Sequence, residues 1–175
     1  MSQLPLSPEE LQGIRESTAL TDAQVQRLYK RFAKLNKDKS GKITREEFNS
    51  IPALASNPLV DRVLAVMDTD GDSSVDFGEF VRALSVLSSA TSKADKLRFT
   101  FKMYDIDGDG RISNRDLFQT LGIMVGVNLS QMQLQQIVDK TFIEADVDRD
   151  GYITFEEFEA LAVNSDFGDR LNLHF

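Results

Sequence analysis

The chain carries one pattern four times, and this repetition restricts its fold more than any other feature. The pattern is a twelve-residue acidic segment. It reads NKDKSGKITREE from Asn36 to Glu47, DTDGDSSVDFGE from Asp68 to Glu79, DIDGDGRISNRD from Asp105 to Asp116 and DVDRDGYITFEE from Asp146 to Glu157. The flanks repeat in step. Phe32, Leu64, Phe101 and Phe142 stand four residues before the segments; Ile43, Val75, Ile112 and Ile153 hold the eighth position; Phe48, Phe80, Leu117 and Phe158 follow directly. A solvated run of charge has no reason to keep apolar residues at fixed offsets. Such a repeat marks a supersecondary unit that buries its apolar face against another copy.

The flanks read as helices. RLYKRFAKL, DRVLAVM, KLRFTFKMY and LQQIVDKTFIEA all place apolar residues at steps of three and four. Capping pairs predict where the entering helices start: Thr21 with Gln24, Asn57 before Pro58, Ser92 with Asp95, and Ser130 with Gln133. Inside each segment a second pair caps the exiting helix: Thr44 with Glu47, Asp76 with Glu79, Ser113 with Asp116, and Thr154 with Glu157. Pro52 should end the first exiting helix. Ser7-Pro8-Glu9-Glu10 reads as a separate capped helix start, and the polar stretch SSATSKAD over 88–95 reads as a lobe boundary. The expected layout is an N-terminal extension over 1–21, an N-lobe over 22–88, a C-lobe over 89–165 and a tail over 166–175.

Like charges crowded into a short loop repel one another unless a cation sits among them. The spacing matches D-x-[DN]-x-[DN]-G-x5-E, the EF-hand calcium loop. Calcium takes about six to eight oxygens; positions 1, 3 and 5 supply side chains, position 7 a backbone carbonyl, and position 12 a carboxylate already on the exiting helix. Glycine at position 6 permits a positive φ. The candidate ligands are Asn36, Asp38, Ser40, the Lys42 carbonyl and Glu47; Asp68, Asp70, Asp72, the Ser74 carbonyl and Glu79; Asp105, Asp107, Asp109, the Arg111 carbonyl and Asp116; and Asp146, Asp148, Asp150, the Tyr152 carbonyl and Glu157. With Asp76 at position 9, these positions hold 15 of the 28 acids, so only 13 face the 20 Lys and Arg elsewhere. The acidity is concentrated where ions would go. The fold class expected is all-α: four EF-hands in two paired lobes, with short β-pairings joining Ile43 to Val75 and Ile112 to Ile153.

The four loops are unequal. The fourth satisfies every position. The first opens with Asn36, offers only Asp38 and Glu47 as carboxylates, and adds Lys37, Lys39 and Lys42, so it should be weakest or empty. The second has five carboxylates but Ser73 in place of the glycine, which costs roughly 1 kcal/mol. It should still bind. The third ends in Asp116, one methylene shorter than Glu, which suits monodentate ligation and the smaller Mg2+. Net charge is -8, so nucleic acid is not an expected partner. Cysteine is absent, excluding disulfides and thiolate metal sites. No apolar run approaches the ~18–20 residues of a membrane span, and MSQLPLSPEE lacks the layout of a secretory signal, so a cytoplasmic protein is expected. No nucleophile–base pair, phosphate-binding glycine loop or histidine cluster is visible, so an enzyme is not expected.

Beyond the loops, EEFNSIPALASNPLVDRV, DTDGDSSVDFGEFV, KLRFTFKMYDIDGDGRISNRDLF, MVGVNL, LQQIVDKT and DGYITFEEF give the chain a resemblance to the calcineurin B family, the regulatory subunits of the calcium- and calmodulin-dependent protein phosphatase. The resemblance implies a heterodimer in which an apolar groove clamps a long helix of the catalytic subunit. It also implies a pocket shared between the subunits for short substrate motifs and immunophilin–drug complexes. This chain's share would be Leu121, Met124, Val125, Asn128 and Leu129, with Val127 departing from the polar residue expected there. Ser2 replaces the glycine that N-myristoylation requires, so no such anchor is expected. The tail, with Leu171, Leu173 and Phe175, would lie along the groove or the interface, and His174 reads as incidental. The rival readings are a calcineurin-B-like sensor serving a kinase or an ion exchanger, and a calcium buffer.

Overall fold

A computed structural model describes residues 7–18, 20–51, 57–86 and 92–164. Its elements follow the repeat. The entering helices are Asp22–Leu35, Val60–Met67, Lys93–Tyr104 and Gln131–Ala145; the exiting helices are Arg45–Asn49, Phe77–Val86, Asn114–Val125 and Phe155–Asn164. An additional helix, Pro8–Ser17, precedes them. Between the helices of each pair lies a loop ending in a two-residue strand: β1 (Lys42–Ile43), β2 (Val75–Asp76), β3 (Ile112–Ser113) and β4 (Tyr152–Ile153). The chain divides between Ser92 and Lys93 into two units.

Short strands pair the loops within each unit. β1 runs antiparallel to β2 with Ile43 opposite Val75, and β3 runs antiparallel to β4 with Ile112 opposite Ile153. This is the expected pairing. The four residues are the most enclosed points of their loops: Ile43 and Val75 have no exposure, and Ile112 and Ile153 have 1% and 2%. Two residues cannot make a stable sheet alone; the β-branched pair is held because it is buried between helices.

The capping chemistry explains most helix starts. Thr21 and Gln24, Thr44 and Glu47, Ser113 and Asp116, and Ser130 and Gln133 each form the full reciprocal box. Asp76 and Glu79 exchange the same two bonds, at 2.8 and 3.0 Å. The second entering helix departs from expectation. Its cap position is Leu59, with no side-chain bond, and the helix starts at Val60. Asn57 Oδ1 instead accepts the Leu59 amide at 2.9 Å, so Asn57-Pro58 builds a turn ahead of the helix. The first exiting helix stops at Asn49, with Ser50 as its C-cap. Pro52, Ser2, His174 and the tail residues Leu171, Leu173 and Phe175 lie outside the described residues.

In the first unit, Phe32 meets Phe77 and Phe80 edge-on at ring separations of 5.3 and 5.5 Å, and Tyr29 meets Phe77 at 5.1 Å. The helix Pro8–Ser17 packs against Phe77–Val86 with Ile14 buried. The second unit closes on Phe101, Tyr104, Ile112, Leu117, Val138, Ala145, Ile153 and Phe158. In both units the residues directly after the loops (Phe48, Phe80, Leu117 and Phe158) are buried. Each unit is therefore a pair of helix–loop–helix elements sharing one core, as the all-α expectation required. Among the described residues, no helix is long and apolar enough to cross a membrane.

Candidate metal-binding loops

The side chain at position 1 organises each loop by accepting amides from inside it. Asp68 takes Gly71 and Asp72 on Oδ1 (2.8 and 3.1 Å) and Ser73 on Oδ2 (2.8 Å). Asp105 takes Gly108 at 2.8 Å and Gly110 at 3.0 Å; Asp146 takes Asp150 at 3.2 Å and Gly151 at 3.0 Å. Asn36 does the same with one oxygen, accepting Ser40 at 3.0 Å. Turning the chain this tightly requires left-handed backbone twice per loop. Position 6 is left-handed at Gly41, Ser73, Gly110 and Gly151, and position 4 at Lys39, Gly71, Gly108 and Arg149. Ser73 carries φ 65, so the expected strain is present.

This winding gathers the acids. Asp68, Asp70 and Asp72 each place a carboxylate oxygen within 4.8 Å of the others, as do Asp105, Asp107 and Asp109, and Asp146, Asp148 and Glu157. Among the described residues, no third acid joins Asp38 and Glu47 in the first loop. The donor sets of loops two, three and four are hard oxygens in close convergence, which is what calcium takes. The first loop is short of negative charge.

Position 12 does two jobs at once. Glu79 Oε2 accepts the Asp76 amide as part of the helix cap, while Oε1 reaches across the loop to the amides of Thr69 (2.7 Å) and Asp70 (3.3 Å) and to the Thr69 hydroxyl (2.8 Å). Glu157 caps through Thr154 and reaches Val147 at 2.8 Å; Glu47 caps through Thr44 and reaches Lys37 at 2.6 Å and Asp38 at 3.2 Å. Asp116 caps through Ser113 at 2.9 Å and stops there, because its side chain is one methylene too short to cross the loop. The missing methylene thus shows as a missing tie between the loop and the exiting helix.

The electrostatics follow from this geometry. Burial pushes the Glu79 and Glu157 carboxyls up, but the surrounding amides and hydroxyls outweigh it and hold both below the ordinary carboxylate value. Burial also raises Asp105, and its neighbours Asp109 and Asp107 add to that against the Gly110 and Gly108 amides. Asp70 is raised by desolvation and by the charge of Glu79. Asp38 is lowered by the Ser40 amide and hydroxyl.

The predicted partner residues fall on the last turns of the helix Asn114–Val125, on the 3-10 turn Gly126–Asn128 that follows, and at Leu129 directly after it. Leu121 packs into the core of the second unit, and Met124 Sδ lies 4.0 Å from the Tyr104 hydroxyl. Asn128 donates to the Val125 carbonyl at 2.9 Å, so its amide closes the helix end. Val125 and Leu129 are half-buried. Beside them Ile123, Val127 and Met132 are exposed, Val127 completely; the sequence pattern alone assigns neither Ile123 nor Met132 a role. The signal for Ile123 is its position two residues past Leu121, which a helix turns away from the core.

Two pairs of helix–loop–helix units with carboxylates gathered in their loops define an EF-hand protein, and the family model for an EF-hand domain pair matches residues 26–85 and 94–163. The chain is 52% identical to calcineurin B of Naegleria gruberi over 96% of its own length and 95% of that protein's. It is 51% identical to calcineurin B type 1 of Dictyostelium discoideum, covering 87% and 85%, and 52% identical to calcineurin B type 2 of Homo sapiens, covering 86% and 88%. The chain belongs to the calcineurin B family.

Proposed function

We propose that this chain is the calcium-binding regulatory subunit of calcineurin, which binds the catalytic subunit and gives the phosphatase its response to calcium. One observation carries the reading: in a chain of this family, three loops converge their carboxylates, and in two of them the position-12 glutamate is fastened at once to its loop and to the first turn of an exiting helix. A ligand that must let go of the loop amides to serve elsewhere moves the helix on which it sits. Ion occupancy and helix position are thereby linked, and a partner that grips one helix arrangement is favoured by the ion.

The role is regulatory and not catalytic. Loops two, three and four hold the ions through the residues named above, and the first loop stays empty or binds weakly. Asp116 makes the third loop the one that accepts Mg2+, since a single carboxylate oxygen suits an octahedral ion that keeps its waters. The catalytic subunit contributes a helix laid in an apolar groove. Leu121, Met124, Val125, Asn128 and Leu129, with exposed Val127 beside them, form this chain's share of the docking pocket for short motifs and immunophilin–drug complexes.

Co-expression with a tagged calcineurin catalytic subunit tests the assignment. The chain should co-purify in calcium, confer calcium-dependent phosphatase activity, and lose at least part of that activity when a chelator strips the ions. Failure to bind the catalytic subunit in calcium would contradict the reading, as would stable capture by a kinase regulatory segment instead.

A further inference from the structure

The first loop is poor in acids and rich in lysines, and one of those lysines leaves its own loop. Lys42 stands at position 7, in β1, where its backbone lies opposite Asp76 of β2. That register points its side chain along the neighbouring loop, and the ammonium forms an ion pair with Asp72 Oδ2. Asp72 is position 5 of the second loop, one of its three converging carboxylates. The other oxygen of Asp72 is taken by the Ser74 amide at 2.9 Å. A cation from one loop thus sits against the ligand ring of the other.

The second unit lacks this arrangement. The matching residue of the third loop, Arg111, has its guanidinium carbon 4.1 Å from the centre of the Tyr152 ring and reaches only Asp109 of its own loop, at 3.6 Å. Among the described residues, it makes no ion pair with the acids of the fourth loop.

We propose that the Lys42 ammonium is a tethered counter-ion of the second loop, which competes with calcium for Asp72 and sets that loop's affinity. The first loop then supplies a cation to its partner loop in the N-lobe. This rests on the calcium reading of loop two. Without the ion, Lys42 relieves the repulsion among Asp68, Asp70 and Asp72; calcium then has to bind beside an ammonium that already draws on the Asp72 carboxylate. The pair is partly exposed, so the effect is moderate and screened by salt.

The test follows calcium binding loop by loop, using the amide NMR signals of Gly71 and Ser73 for loop two and of Gly151 for loop four, on the full chain. Lys42→Gln keeps the position-7 carbonyl and removes the charge. It should tighten loop two by about two- to fivefold, and the gain should shrink as KCl is raised from about 50 mM to about 500 mM. Lys42→Arg should stay close to the parent chain. Lys39→Gln makes the same change in net charge without touching Asp72 and should leave loop two unchanged. In chelator, Lys42→Gln should melt at or below the parent, because the acids of loop two then lose their counter-ion; a higher melting temperature overturns the proposal. Unchanged or weaker binding at loop two in Lys42→Gln overturns the proposal, as does an equal gain in Lys39→Gln. Silence of Gly71 and Ser73 in every variant, while Gly151 responds, would overturn the calcium reading of loop two itself.

Discussion

Ser73 is the residue whose backbone and chemistry most disagree. Its φ of 65 places an L side chain where glycine is at ease, yet its amide is needed by Asp68 Oδ2 at 2.8 Å. Ser73→Gly should keep that bond and remove about 1 kcal/mol of strain, which raises the melting temperature of the first unit by about 4–8 °C in thermal unfolding. Glu79 gives a pH signature. Its folded carboxyl is held below the ordinary value of 4.5, so the stability it contributes is present above that value and lost as pH falls through the lower one. In chelator, the melting-temperature gap between the parent chain and Glu79→Gln should therefore be open at neutral pH and close as pH drops below about 4.5. At this scale the loop positions could be read directly, because acids, glycine and the β-branched residue recur at fixed spacing. The left-handed backbone of Lys39 and Arg149 could not, since their side chains carry no sign of it. The only clue was glycine at the same position in the other two loops, Gly71 and Gly108.

Helix starts, strand pairs and position 12 belong to the scale of elements. Capping pairs located the helices because they satisfy orphan amides locally, without help from tertiary structure. Asn57-Pro58 misled for the same local reason: Asn57 does accept an amide, but that of Leu59, in a turn, and the helix begins only where Leu59 and Val60 are buried. Position 12 joins two elements, and Asp116 joins them poorly. Asp116→Glu should let the carboxylate span the third loop as Glu79 and Glu157 span theirs. Calorimetry should find calcium binding there tightened by about tenfold and the response to magnesium weakened. An unchanged calcium affinity would mean that the length of this side chain does not govern the site.

At the scale of the molecule, the fourfold repeat and the offsets around it made the all-α architecture and both strand pairings legible. A unit that cannot bury its apolar face alone has to pair, and the loops bring the pairs together through Ile43 with Val75 and Ile112 with Ile153. The exposed apolar surface was less legible. Met124 and Leu121 read as partner residues from resemblance; the structure packs the half-buried Leu121 against the core, and beside them Ile123, Val127 and Met132 are exposed. Periodicity separates the faces of a helix, but it cannot say which face a second chain covers. The shortage of acids in the first loop, by contrast, was legible in its charges. Native mass spectrometry of the chelator-stripped chain titrated with calcium counts bound ions directly. Three ions should be taken up, at loops two, three and four, with the first loop contributing none in the same concentration range. No uptake, or four ions bound together, would contradict the account.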